Sequence, residues 1–298
     1  MKLDFPTNKS RYYDTYCHAF RLTFDVGGIP VNLDPSLEYL APAIFYVRIN
    51  GKLVLVDFSD FVDEYSWDWS HARGFFRLKK HYNYKDISHV PIFKRTMGVE
   101  DSYPENVFPH GPMLLLNSVQ KYNNLLGMGS SFDFNKRNKI LHTNRLYAAS
   151  QITRKRAFEI LDSSKLLSNV EFDSDRVEQN QHLNRLGLRL ATLEIGACPN
   201  AQGSGAIDAI MTGTPVISNN MDIVLPFGER LQKHRDYVYV EEDYSNINEA
   251  INWVYDNRDK VKDMADNSYD LFMRTWHYRK LLKWFEQVVE EWYERNPV

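Results

Sequence analysis

The stretch from Cys198 to Ser218 carries the strongest chemical suggestion in the chain. It reads Cys198-Pro199-Asn200-Ala201-Gln202-Gly203-Ser204-Gly205-Ala206-Ile207-Asp208, then Ala209 to Thr212, then Gly213-Thr214-Pro215-Val216-Ile217-Ser218. This pattern predicts a glycine-rich turn after a strand, a short helix over 206–212, a glycine stop and a second strand. Gly203, Ser204 and Gly205 then fall at a helix N-terminus. Free backbone N–H groups and the helix dipole favour an anion there, and glycine lets a phosphate approach closely. Asp208, about one turn into the helix, is placed to accept hydrogen bonds from ribose hydroxyls. The same residues also fit a tight turn with Ser204 as N-cap and Asp208 on the surface.

A second constellation is basic. From Lys136 to Arg156 the chain holds Lys136, Arg137, Lys139, Arg145, Arg154, Lys155 and Arg156, with no Asp or Glu. Arg145 follows a predicted strand, Ile140 to His142, and so sits at its C-terminal end, where ligands bind in open α/β sheets. Arg154 and Arg156 open a predicted helix over 154–161. Positive charge there opposes the dipole unless an anion lies nearby. Arginine suits bidentate phosphate contacts. A solvated basic surface is the alternative. Carboxylates gather elsewhere: Asp57 ends a predicted strand over 52–57 and Asp60 follows it, with Asp63 and Glu64 close behind. Either of the first two could act as a general base, with His81 and His110 as further candidates. Asp57 as a turn cap, with the others solvated, is the competing reading.

The elements that must position these groups change character along the chain. The first half reads as strands and loops. Ala43 to Val47 and Lys52 to Asp57 flank Asn50-Gly51, a strong hairpin signal. Phe75 to Lys79 predicts another strand, and Val107 to Pro112 a loop. Gly127-Met128-Gly129-Ser130-Ser131 is the candidate linker. Beyond it, predicted strands at 139–142, 189–195, 214–218 and 237–240 alternate with helices at 154–161, 206–212 and 247–255. Asp162 to Asp175 reads as loop. Such alternation implies parallel strands with crossover helices. Residues 269–295 predict one helix throughout, with Trp276, Leu281, Trp284, Phe285, Val288 and Trp292 at helical spacing.

Composition narrows the function classes. The chain has 298 residues and a net charge of −3, so a basic nucleic-acid binder is disfavoured. Hydrophobic residues at 43% and charged residues at 25% are those of a folded globular protein. The two cysteines, Cys17 and Cys198, cannot build a disulfide framework and suit a reducing compartment. No apolar run approaches the roughly 20 residues of a membrane span. The aromatics suit a large core or stacking platforms for bases and sugars. His and Cys show no zinc spacing.

The Arg-containing strand end, the Arg-rich helix start and Gly203-Ser204-Gly205-x-x-Asp208-Ala209-Ile210-x-x-Gly213-Thr214-Pro215-Val216-Ile217 together resemble the donor half of a GT-B glycosyltransferase, closest to the exostosin-like families. Trp276-His277-Tyr278 and the last helix resemble the tail that crosses back in that fold. The resemblance covers about residue 140 to the C-terminus. It departs at Asp208, where the family usually carries Glu, and in lacking a membrane anchor.

The resemblance implies two Rossmann-like α/β domains: 1–130 binding an acceptor, 131–270 binding a nucleotide sugar, and 271–298 a helix returning to the first. It implies transfer of a sugar from a UDP-sugar to a glycan hydroxyl, inverting and metal-independent. Arg145, Arg154, Arg156, Gly203, Ser204, Gly205 and Asp208 would bind the donor. Asp60, Asp57 or His81 would supply the base. No cofactor or metal is expected beyond the donor substrate, and no nucleic-acid partner or membrane span. A cytoplasmic enzyme of bacterial or viral origin is expected. Xylose, glucose, galactose and glucuronic acid all stay open as the sugar. Two other readings stand beside this one. One is a GT-A enzyme holding a metal with Asp173 and Asp175. The other is a protein that binds a nucleotide or glycan without turnover.

Overall fold

The computed structural model describes residues 1–7, 14–41, 44–58, 87–95, 97, 103–111, 132–142, 156–157, 159–161, 170–172, 179–194, 204–219, 221 and 223–297. The predicted strand at 75–79 and the linker at 127–131 lie outside them. The chain forms two compact units. Met1–Tyr122, Ile223–Arg230 and Met273–Val298 make the first; Asn123–Asp222 and Leu231–Phe272 make the second.

The first unit holds β1 (Leu3–Pro6), α1 (Asp14–Val26), β2 (Val31–Asp34), β3 (Tyr39–Ala41), β4 (Ile44–Ile49), β5 (Lys52–Asp57), β6 (Ile92–Lys94) and β7 (Val107–Pro109). Its sheet runs β2-β1-β4-β5-β6-β7, with β3 paired to β4. β4 and β5 are antiparallel, with Ile49 opposite Lys52. Asn50 and Gly51 between them have φ of 53° and 81°. Both positions of this two-residue turn need positive φ, which is why Asn-Gly stands there. β5, β6 and β7 run parallel. Two expectations fail in this unit. Residues 14–26 form a helix rather than strand or loop. Residues 107–109 form a strand because β6 supplies the partner their proline and glycine surroundings conceal. Pro109 is tolerated as the last residue of the outermost described strand.

The predicted C-terminal helix is two helices. Arg258–Thr275 and Tyr278–Arg295 are separated at Trp276-His277, where His277 is extended (φ −53°, ψ 134°). Aromatic periodicity runs through the break, so the pattern does not reveal it. The reason is tertiary. Trp276 is buried against Gly111, whose φ is 78° and where an added Cβ would lie 2.0 Å from the indole Nε1. The last helix buries Leu281, Leu282, Phe285, Val288, Val289 and Trp292 along one stripe. Phe285 stacks on Phe24 and meets Phe20 and Phe93. Tyr293 donates to the Leu53 carbonyl at 2.7 Å and Trp284 to that of Pro109 at 2.8 Å. The tail therefore belongs to the first unit.

The second unit holds β8 (Ile140–His142), β9 (Val170–Phe172), α2 (Gln179–Gly187), β10 (Ala191–Glu194), α3 (Ser204–Met211), β11 (Val216–Ser218), β12 (Val238–Tyr239) and α4 (Ile247–Asp256). The helix Arg258–Thr275, α5, follows, and Tyr278–Arg295 is α6. The five strands are parallel in the order β12-β11-β10-β8-β9. β9 lies inside the stretch read as loop, and α2 was not foreseen. Three residues of strand in a polar surrounding give no periodic signal; pairing with β8 makes them a strand. The core joins Ile140, Leu190, Leu193, Ile217 and Val238 to the apolar face of α4.

Candidate functional site

The parallel sheet of the second unit reverses direction between β8 and β10. The chain steps outward from β8 to β9, then returns past β8 to β10, β11 and β12. β8 and β10 are neighbours, with Leu141 beside Thr192, so their carboxyl ends at His142 and Glu194 lie side by side. Connections leaving a doubly wound sheet at such a reversal diverge to opposite faces and open a crevice, where ligands bind.

The sequence-predicted donor groups sit on these two connections. Arg145 and Arg154 lie between β8 and β9, in residues 143–155, and Gly203 lies between β10 and α3, in residues 195–203. All three are outside the described residues. Ser204 and Gly205 are the first two residues of α3, so the helix starts where the glycine turn requires, two residues before the predicted position 206. Arg156 is exposed, and its Nε donates to the Asp243 carbonyl at 3.1 Å. The acid-free stretch thus finds an acidic neighbour from the loop after β12. Asp208 is buried, not at the surface, with Oδ2 3.6 Å from His182 Nε2 on α2. Burial lowers the His182 pKa and favours the neutral imidazole.

One member of the basic cluster has a different job. Arg137 is buried and lies before β8, at the opposite end of that strand from Arg145. It donates to the carbonyls of Gly213 (2.6 Å) and Thr212 (3.3 Å) and stacks over Phe134. It therefore caps the C-terminus of α3, where a cation complements the dipole. Burial lowers its pKa to about 10, so it stays charged at neutral pH. Gly213-Thr214-Pro215 is explained by the same corner. Gly213 takes φ of 62° after α3, and Thr214 Oγ1 donates to the Leu186 carbonyl of α2 at 2.8 Å. The Pro215 carbonyl accepts from Thr192 of β10. The motif fixes α3 against its neighbours and so aims its N-terminus.

Two groups at the carboxyl ends escaped the sequence reading. Glu194 ends β10 at the reversal and is buried. Asn219, just past β11, donates to the Tyr244 hydroxyl at 3.3 Å. A lone Glu in a strand and a lone Asn after one carry no pattern; only the strand order marks them.

In the first unit, Asp57 stands at the carboxyl end of β5 as expected, but it is fully buried and its Oδ2 is 3.1 Å from Lys94 Nζ, itself fully buried. A base must meet an acceptor hydroxyl, so this burial weighs against Asp57 in that role. Asp60 and His81 lie outside the described residues. His110 is also fully buried, ringed by Phe20, Phe58 and Phe285 at centroid distances of 5.0–5.6 Å. Its Nδ1 donates to the Gly111 carbonyl, and burial lowers its pKa to about 4. Among the described residues no cluster of three His, Cys, Asp or Glu could hold a metal ion.

No protein-family profile matches the chain, and no curated protein matches it in sequence. Solved structures do. A glycosyltransferase from Rickettsia africae superposes with a TM-score of 0.51 at 11% identity, over 96% of this chain and 83% of the other. The fold is that of the GT-B glycosyltransferases. An α1,3-fucosyltransferase aligns with a TM-score of 0.48 at 12% identity, covering 97% of this chain and 90% of its own. S. aureus TarM aligns at 0.49 and 11% identity over 78% of this chain. The chain spans about half the length of TarM. The alternative reading placed a metal on Asp173 and Asp175. Both residues lie outside the described residues, just past β9. No helix among the described residues is long and apolar enough to cross a membrane.

Proposed function

We propose that the protein transfers a sugar from a nucleoside diphosphate sugar, UDP-linked by the exostosin-like resemblance, to a hydroxyl of a glycan, with inversion and without a metal. The observation that carries this reading is the strand reversal between β8 and β10. It sets the carboxyl ends of β8 and β10 side by side, and the sequence that follows them carries Arg145, Arg154 and Gly203-Ser204-Gly205, which supports this reading.

In this mechanism the α3 N-terminus and the two arginines receive the diphosphate. Asp208, drawn toward His182, helps hold the ribose end. Asp60 takes the proton of the acceptor hydroxyl as its oxygen attacks the anomeric carbon. The bond from that carbon to the diphosphate oxygen breaks on the opposite face, and the arginines neutralise the departing charge. Asp57 and Lys94 pair across the carboxyl ends of β5 and β6.

The test is calorimetry with UDP on Arg145→Ala and Arg154→Ala. A charge-assisted bond to phosphate contributes about 1.5–3 kcal/mol, so each variant is expected to lose about tenfold or more in affinity with an unchanged melting temperature. Undiminished UDP affinity in both variants removes the arginines from the site. Release of free sugar or product by the wild type separates transfer from simple binding.

A further inference from the structure

The segment Ile223–Arg230 belongs to the first unit although the sequence on either side belongs to the second. It closes a tight loop: Val224 and Arg230 form an antiparallel bridge, and Leu225 N–H donates to the Glu229 carbonyl at 2.8 Å. At its tip Phe227 has φ of 64° and Gly228 has φ of 72°. Glycine adopts that conformation freely; a side chain does so at a cost in steric strain. Yet Phe227 does not spend that strain on burial. It is 41% exposed, one of three large apolar side chains left open among the described residues.

The ring is not isolated. It lies 5.0 Å from the Trp284 ring at 58°. Trp284 is half-buried and fixed by its Nε1 bond to the carbonyl of Pro109, the last residue of β7. The two rings therefore stand at the carboxyl end of a parallel strand, the edge at which α/β sheets present ligands. Glu229, two residues from Phe227, pairs with Arg274 at 2.6 Å, both partly exposed. A strained, exposed aromatic beside a carboxylate and a guanidinium is poorly explained by packing. Strain held at a surface position points to use.

We infer that Phe227 and Trp284 form a stacking platform for a sugar ring of the acceptor. A pyranose offers an apolar C–H face to an aromatic ring and hydroxyls that both donate and accept. Glu229 can accept from those hydroxyls and Arg274 can donate to them. The choice of ligand rests on the transfer reading above; the choice of residues does not.

Phe227→Gly is the decisive variant, because it removes the ring and relieves the positive φ together. Its melting temperature is expected to equal or exceed that of the wild type. Phe227→Tyr keeps a stacking face. Saturation-transfer NMR with the methyl glycosides of glucose, galactose, xylose and N-acetylglucosamine should show at least one binding through its ring C–H protons. That signal should fall at least fivefold in Phe227→Gly and persist in Phe227→Tyr, while calorimetric UDP affinity stays constant. Four results overturn the inference. They are no glycoside signal in the wild type, an equal signal in Phe227→Gly, a loss of UDP affinity in that variant (a base stacks there instead), or a change of its mass in light scattering (a second copy covers the rings). A Phe227-dependent glycoside signal in a protein that does not bind UDP would sink the transfer reading and leave the platform standing.

Discussion

Asp57 and Asp60 are three residues apart and of the same type, yet they should answer to mutation in different ways. Asp57→Asn removes the buried carboxylate that faces Lys94 Nζ. Breaking such a pair costs about 3–5 kcal/mol, so the midpoint of urea unfolding should drop sharply. Asp60→Asn should leave that midpoint in place and reduce turnover by about 10²–10⁴-fold, with UDP affinity unchanged. Near-normal turnover in Asp60→Asn would pass the role of base to His81. His110 supplies a second residue-scale expectation. Its folded pKa is about 4, lowered first by burial and further by Arg95. The unfolded chain binds this proton near pH 6.5. Stability from neutral His110 is thus complete above pH 6.5 and is lost as the pH falls toward 4. At pH 5 the loss is about 2 kcal/mol. His110→Phe, compared at pH 7 and pH 5 by denaturant unfolding, should show a smaller acid-induced drop than the wild type.

At the scale of elements, the corner joining α2, α3 and β11 decides where the α3 N-terminus points. Arg137 satisfies two carbonyls at the end of α3, and its own carbonyl accepts from Arg258 of α5 at 2.6 Å. Arg137→Met keeps most of the stem and removes the donors. It should lower stability by about 2–4 kcal/mol, as hydrogen bonds from a charged group are lost and buried carbonyls go unsatisfied. If Arg137 instead bound phosphate, the same variant would lose UDP affinity without that fall in stability. The element pattern itself was partly legible. Asn50-Gly51, the apolar runs of β4, β5 and β10, and the face of α4 follow from local residue type. β7, β9 and α1 did not, because short strands and a helix of mixed polarity become definite only against their partners. The unbroken apolar spacing across Trp276 likewise hid a break that Gly111 makes.

At the scale of the whole molecule, the transfer reading predicts activity that survives excess EDTA, with arginines in place of a cation. Activity that vanished and returned with Mn²⁺ or Mg²⁺ would show that a metal carries the leaving diphosphate. Residue types and their order along the chain determined the α/β class, the hairpin, the glycine-led helix with its Gly-Thr-Pro stop, and the basic stretch before it, because each is encoded within a few neighbouring residues. Which of those basic groups serves as a helix cap was decided only by tertiary structure. Strand order set the carboxyl ends of β8 and β10 side by side and sent Arg137 to the far end of β8 as a helix cap. It also buried Asp57 against Lys94 and brought Phe227 to the first unit, beside Trp284. Charge and polarity read along a chain are local properties, whereas burial and neighbourhood follow from pairings between residues dozens of positions apart.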